Sequence, residues 1–189
     1  MKMNKSSHAV ISLFFACFYS AMAFSKGGEV LNFSPLSDAS EWMVVNDGVM
    51  GGVSRSSMVV EDGVAHFSGH LSLENNGGFV SVRRQMPNMN DTDYSMVTLH
   101  VKGDGRPYQL RIRTDSSWDG VSYRALFNTV DGEWMTITLQ ETDFIPVFRG
   151  RRVVDAADFR FEDTKQFGFL LADKQPGKFH LSVSQFSFQ

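Results

Sequence analysis

Cysteine is nearly missing from this chain. One occurs in 189 residues, Cys17, and it sits in a leader-like segment. A chain processed after that segment has no disulfide, no thiol nucleophile and no thiolate metal site. Charge of one sign is nowhere concentrated in a block. Eighteen Lys and Arg, less the two in the leader, leave 16 against 21 Asp and Glu, a net charge of −5. That balance argues against nucleic acid as a partner, because phosphate binding calls for a net basic surface. Long helical periodicity is also absent. Beyond the leader, no apolar run approaches the roughly 20 residues of a membrane-spanning helix.

The leader itself is well marked. Lys2 and Lys5 precede the uncharged apolar run Ala9 to Ala23, which ends in Ala21-Met22-Ala23, with Ser25 and Lys26 following. This reads as a secretory signal peptide cleaved near Ala23. It implies a periplasmic or secreted protein that is not membrane-spanning after cleavage. A mitochondrial presequence is Arg-rich, and no Arg precedes Arg55. Bulky Phe14 and Phe15 ahead of Cys17 argue against a lipoprotein box. Cleavage leaves 166 of the 189 residues, read as a single domain. A domain of that size buries roughly 68–70% of its unfolded surface, enough to fold without disulfides.

What is present is period-two alternation punctuated by turn residues, which predicts strands. Expected strands are Val30–Phe33, Trp42–Val45, Ser57–Glu61, Val64–Ser68, Leu71–Glu74, Phe79–Arg84, Ser95–Lys102, Tyr108–Thr114, Ser122–Asn128, Trp134–Gln140, Gln166–Ala172 and Lys178–Phe188. Turns fall at Glu61-Asp62-Gly63, Asn75 to Gly78, Gly103-Asp104-Gly105, Asp131-Gly132 and Gln175-Pro176-Gly177. Val97, Leu99 and Val101 share one face; so do Tyr108, Leu110 and Ile112, leaving Gln109, Arg111 and Arg113 outward. After Phe179, Leu181 and Val183 the apolar phase shifts to Phe186 and Phe188, which predicts a bulge or sheet switch near Ser184. Strands with one wet and one apolar face predict an all-β fold of two packed antiparallel sheets, a jelly-roll sandwich. Glu141 to Thr164 reads as a long loop with a short helical turn near Asp155–Asp158.

Five segments stand out. Trp42 to Arg55 contains Asp47-Gly48-Val49-Met50-Gly51-Gly52-Val53-Ser54, whose glycines demand close turns. The free amides there suit either a ligand or Asp47 capping its own loop. Gly77 to Arg84 is a Gly-rich turn into a strand ending in Arg83 and Arg84. These two point to opposite faces, so one is expected to be ion-paired or hydrogen-bonded at a sheet rim. Gly103 to Arg113 carries Arg111 and Arg113 on one outward face. Phe148-Arg149-Gly150-Arg151-Arg152 is a basic loop, and Ala172 to Phe179 is a hairpin connection.

In order, WMVVNDGVMGGVSRS, GGFVSVRR, GDGRPYQLRIR, FIPVFRGRRV and DKQPGKFHLSVSQFSF resemble the complex I intermediate-associated protein 30 family, from about Leu31 to Gln189. The resemblance implies a galactose-binding-domain-like jelly roll. It also implies a non-catalytic, chaperone-like role, since eukaryotic members act as assembly factors for respiratory complex I. Related plant and cyanobacterial proteins can carry a nucleotide-binding domain; no Gly-x-Gly-x-x-Gly follows a strand here. The family's best-known role is inside mitochondria, whereas this leader points to export. Fold and binding character therefore carry over, and the partner does not.

Catalytic constellations are weak. His66 and His70 flank a Gly-containing turn and lack the His-Glu-x-x-His context. His100 and His180 lie on outward strand faces. Ser54 lacks the Gly-x-Ser-x-Gly elbow. Asp47 and Asp173 form a carboxylate pair only if the fold brings them together. Asn88, Asn90 and Asp91-Thr92-Asp93 offer hard oxygens without EF-hand spacing. No cofactor, metal or catalytic residue is assigned.

Two binding readings follow. The first is a protein-binding assembly-factor module using Asp47, Met50, Gly51, Gly52 and Ser54, flanked by Arg83, Arg111, Arg113 and Arg149. Its partner would be a protein, such as a membrane-complex assembly intermediate. The second is a carbohydrate-binding module in which Trp118 or Tyr123 stacks on a sugar. An exposed aromatic beside Asp or Arg favours sugar, and an aromatic-free rim of arginines favours protein.

Overall fold

The computed structural model describes residues 30–31, 41–86 and 93–189. The leader at 1–23 with Cys17, and residues 88–92 of the calcium candidate, lie outside the described residues.

Among the described residues the strands are β1 (Val30–Leu31), β2 (Met43–Asn46), β3 (Arg55–Glu61), β4 (Val64–Leu71), β5 (Val80–Gln85), β6 (Met96–Lys102), β7 (Pro107–Arg113), β8 (Ser122–Asn128), β9 (Trp134–Gln140), β10 (Ile145–Phe148), β11 (Arg151–Arg152), β12 (Gln166–Leu171) and β13 (Gly177–Phe188). They form two antiparallel sheets. One runs β3-β4-β13-β6-β9 with β1 also on β13; the other runs β11-β10-β8-β7-β12-β5-β2. The two inner faces close on each other as a jelly-roll sandwich.

Alternation decides the faces. Val97, Leu99, Val101, Phe179, Leu181 and Val183 line the inside of the six-stranded sheet, against Tyr108, Leu110, Ile112, Phe167 and Phe169 from the seven-stranded one. The register along β13 slips between Val183 and Gln185, which turns Phe186 and Phe188 inward as well. Ring contacts run from Trp42 to Phe167 at 5.4 Å, to Phe186 at 4.4 Å, to Phe188 at 5.1 Å and on to Phe161 at 5.5 Å. Such pairs add about 0.5–1.5 kcal/mol each beyond their burial, which helps hold a core that has no cross-link.

Three expectations need correction. Val64 to Glu74 is not two strands: β4 runs unbroken through Gly69 to Leu71, and Glu74–Asn76 is a 3₁₀ turn. Gly69 is there because the backbone of β3 at Arg55 leaves no room for a side chain, not because the chain turns. His66 and His70 are thus on one strand. Second, Glu141 to Thr164 is not a plain loop. It forms the β10–β11 hairpin, with Val147 opposite Arg152. Third, the short helical turns lie at Glu141–Asp143 and Phe161–Asp163 rather than near Asp155.

Two of the marked segments serve the fold. Arg106 reaches Asp173 through Nε at 2.8 Å and Nη2 at 2.6 Å, and donates to the carbonyls of Lys178 and Gln175. Asp104 accepts the Tyr108 hydroxyl at 3.0 Å and the His180 amide at 2.9 Å. Together they clamp the β6–β7 turn onto the β12–β13 turn.

Candidate functional site

The Asp47 segment crosses from β2, the edge of one sheet, to β3, the edge of the other. It opens with a 3₁₀ turn, Asp47–Met50, stopped by Gly51 at φ 89°. Asp47 is fully buried. Its Oδ1 accepts the Ser54 amide at 3.0 Å, and its Oδ2 accepts the Ser54 hydroxyl at 2.6 Å and the amides of Gly78 at 2.7 Å and Phe79 at 3.4 Å. Ser54 Oγ in turn accepts the Ser72 amide at 2.9 Å. Any side chain at Gly52 or Gly77 would collide with this carboxylate. Burial alone raises a carboxyl's pKa; the hydrogen bonds from Ser54, Gly78 and Phe79 outweigh it and hold Asp47 below its ordinary 3.8. Asp47 and Ser54 are therefore the internal tie between the two Gly-rich connections and are not presented to a partner. Met50, 64% exposed, is presented, as is Val49 beside it.

The outer face of the seven-stranded sheet carries a different arrangement. Arg83 of β5 stands opposite Gly168 of β12, Gly168 opposite Arg111 of β7, and Arg111 opposite Arg124 of β8. Arg113 lies two positions further along β7, opposite Gln166. Among the described residues none of these four arginines makes an ion pair, whereas Arg84, Arg106, Arg149 and Arg160 all do. Arg84, the inward member of its pair, meets Glu41 and the ring of Trp42. Arg111 donates through Nε to Gln109 at 3.0 Å and through Nη1 to Ser122 at 2.9 Å. Burial, then Arg124 and Arg113, push its pKa down to about 10. It stays charged at neutral pH. Arg83, Arg111, Arg113, Ser122, Gln166 and Gly168 border a small depression of about 60 Å³.

The β7–β8 connection folds over one end of this face. Arg83 donates to the Trp118 carbonyl at 2.9 Å, Arg113 to that of Gly120 at 2.7 Å, and Gln166 to those of Asp115 and Ser117 at 2.9 and 2.8 Å. Arg149, at the tip of the β10–β11 hairpin, pairs with Asp119 at 2.7 Å. Trp118 is 40% exposed, and the Arg83 guanidinium lies 4.7 Å from its ring centroid. Tyr123 points the other way. It is buried, stacks on Phe159 at 4.8 Å and donates to the Ala157 carbonyl at 2.8 Å, so it offers no sugar platform.

The outer face of the six-stranded sheet holds the histidines. His66 and His180 share the Ser182 hydroxyl at 3.0 and 2.8 Å, and His100 stacks on Trp134 at 4.8 Å with Lys102 also over that ring. Burial, then His66, keep His180 below its ordinary pKa and neutral at pH 7.

A family model described as complex I intermediate-associated protein 30 matches residues 31–183. The chain belongs to the complex I intermediate-associated protein 30 family. A Neurospora crassa relative, complex I intermediate-associated protein 30, mitochondrial, is 25% identical over 93 residues, 49% of this chain and 34% of that protein. The matched region thus spans about a third of the relative's length. Among solved structures, the family 11 carbohydrate-binding module of the Clostridium thermocellum cellulase Lic26A-Cel5E has a TM-score of 0.60 at 14% identity, covering 85% of this chain and 94% of that one. The agarase AgWH50C gives 0.55 at 11%, covering 85% of this chain and 24% of that one. At such identities the likeness is one of fold.

In this family member the residues marked from sequence do not form one cluster. Met50, Gly51 and Gly52 lie beyond the β2 edge, Arg149 lies toward the β11 edge, and Arg83, Arg111 and Arg113 lie between. Arg124, Gln166 and Gly168 complete the central group, and sequence reasoning passed over all three. Arg124 sits alone in Ser-Tyr-Arg-Ala-Leu-Phe-Asn. Its outward parity was legible, but its position across from Arg111 depends on strand register. Asp47 and Asp173 are held by separate partners, Asp47 by Ser54 and Asp173 by Arg106.

Proposed function

We propose that this protein is a non-enzymatic binding module of the assembly-factor type, exported by its leader, which holds a protein partner against the outer face of the seven-stranded sheet. The observation that carries this reading is the row of Arg83, Arg111 and Arg124 with Arg113 beside it, none ion-paired among the described residues. Guanidinium groups without a direct ion pair of their own, as Arg111 and Arg124 are among the described residues, give bidentate, oriented contacts to the carboxylates of another surface. Family membership supports the assembly-factor character. Capture from envelope extract tests it: a defined protein retained by the wild type and lost with Arg111→Gln is expected. Equal retention by both contradicts the reading.

A second reading, carbohydrate binding, is favoured by Trp118, an exposed aromatic beside Arg83 and Asp119. The likeness of fold to a module solved with a β-1,3-1,4-linked tetrasaccharide supports it by analogy. Against it, one cation already lies against the Trp118 ring, and Tyr123 is turned inward. A glycan array separates the two: sugar binding abolished by Trp118→Ala establishes the second and retires the first.

A further inference from the structure

We propose that the depression between Arg83 and Arg111 is a carboxylate subsite, which takes the end of one acidic side chain from an extended acidic segment of a protein partner. This rests on the binding face named above and assigns the chemistry at its centre.

Three observations converge. Gly168 lies between Arg83 and Arg111 in the register; the Val82 carbonyl and the Arg83 backbone close against it and admit nothing larger than Gly, so the two arginines border the depression with no side chain between them. With strands about 4.8 Å apart, those positions are roughly 10 Å from one another, a span that one carboxylate bridges through two long flexible cations. Second, part of the hydrogen-bonding capacity is unspent, although Arg83 Nη1 is on the Trp118 carbonyl and its Nη2 on Met43 Sδ. Arg111 uses Nε and Nη1 on Gln109 and Ser122, leaving Nη2 with no partner among the described residues. Arg83 Nε, also a donor, is buried with no partner among the described residues. Third, Arg111 and Arg124 have no ion pair among the described residues. Arg111 and Arg124 face each other on paired strands, an arrangement that destabilises a sheet unless another charge answers it.

The occupant is an acidic side chain of the protein partner that the proposed binding face takes, and a depression of about 60 Å³ admits its carboxylate. A glutamate or aspartate side chain brings the group on a flexible stem. The neighbouring Arg124 and Arg113 then meet further acidic residues of the same segment.

The test titrates the protein with the capped peptide tetraglutamate, with tetraglutamine as its neutral counterpart and with tetragalacturonate, following the arginine Nε–H resonances by NMR. Tetraglutamate is expected to shift Arg111 and Arg83 saturably and to bind at least about tenfold tighter than tetraglutamine, as charge-assisted hydrogen bonds require. Arg111→Lys keeps a charge without the fork and is expected to lose most of that preference. Arg124→Gln, which removes no hydrogen bond among the described residues, is expected to weaken binding severalfold. Equal binding of the two peptides overturns the subsite. Tighter binding of tetragalacturonate overturns its assignment to a protein side chain. Loss of protein capture in Arg111→Gln without any tetraglutamate preference leaves the binding face standing and removes only the subsite. Tetraglutamate preference with no captured protein does the reverse.

Discussion

Arg111 and Arg124 stand directly across from each other on paired antiparallel strands, and neither has a carboxylate partner among the described residues. Arg124 Nε is buried with no hydrogen-bond partner among the described residues. A fold selected for stability alone has no use for this juxtaposition. A face that receives an anionic partner does.

Replacing Arg124 with Gln should therefore stabilise the isolated protein. Removing a like-charge cross-strand pair is worth about 0.2–1 kcal/mol. A higher urea midpoint with an unchanged slope is the expected outcome, and the gain should shrink as salt is raised.

Asp47 should behave as the opposite kind of residue. Asp47→Ala strips the acceptor from the amides of Ser54, Gly78 and Phe79. The expected loss is about 3 kcal/mol or more, since each buried donor left unmet costs roughly 1–3 kcal/mol. Its pKa is lowered on folding. The carboxylate's contribution is thus complete above its unfolded pKa, near 3.8, and disappears as pH falls through the lower folded value. In urea titrations across that acid window, the wild type should lose stability more steeply than Asp47→Asn.

The glycines of the same segment should differ sharply. Gly52→Ala drives a Cβ into the Asp47 carboxylate, whereas Gly48→Ala meets nothing within 4 Å. Thermal melts should show a large drop for the first and a change near zero for the second.

Arg106 and Asp173 form a largely buried bidentate pair. Removing one partner strands the other's charge, so Asp173→Ala should cost about 3–5 kcal/mol. Chemical denaturation of the single variants checks this, and the double variant Arg106→Met with Asp173→Leu should recover part of the loss.

Much of the sandwich was legible because burial on one face imposes period two on each strand. Ser122–Asn128 and Trp134–Gln140 run as their alternation indicates, and the phase change after Val183 marks the slip in β13. The β10–β11 hairpin was not legible. Pro146 interrupts the strand pattern in Phe-Ile-Pro-Val-Phe, yet it is tolerated next to an edge that is only two residues long. The site was half legible. Arg83, Arg111 and Arg113 stood out as charged residues at outward positions. The partners that make them a group, Arg124, Gln166 and Gly168, join through pairings between strands far apart in sequence. Asp47 was legible as special but not as buried: the same glycines serve a ligand loop or a capped turn, and only the close packing around its carboxylate distinguishes them.

The central claim concerns which face meets the partner. A photo-crosslinking residue at Leu126, exposed on the arginine face, can be compared with one at Val59, exposed on the outer face of the other sheet. In envelope extract, a discrete protein adduct from position 126 that vanishes with Arg111→Gln, and none from position 59, is the predicted result. An adduct from position 59 alone, or one from position 126 indifferent to Arg111, would contradict it.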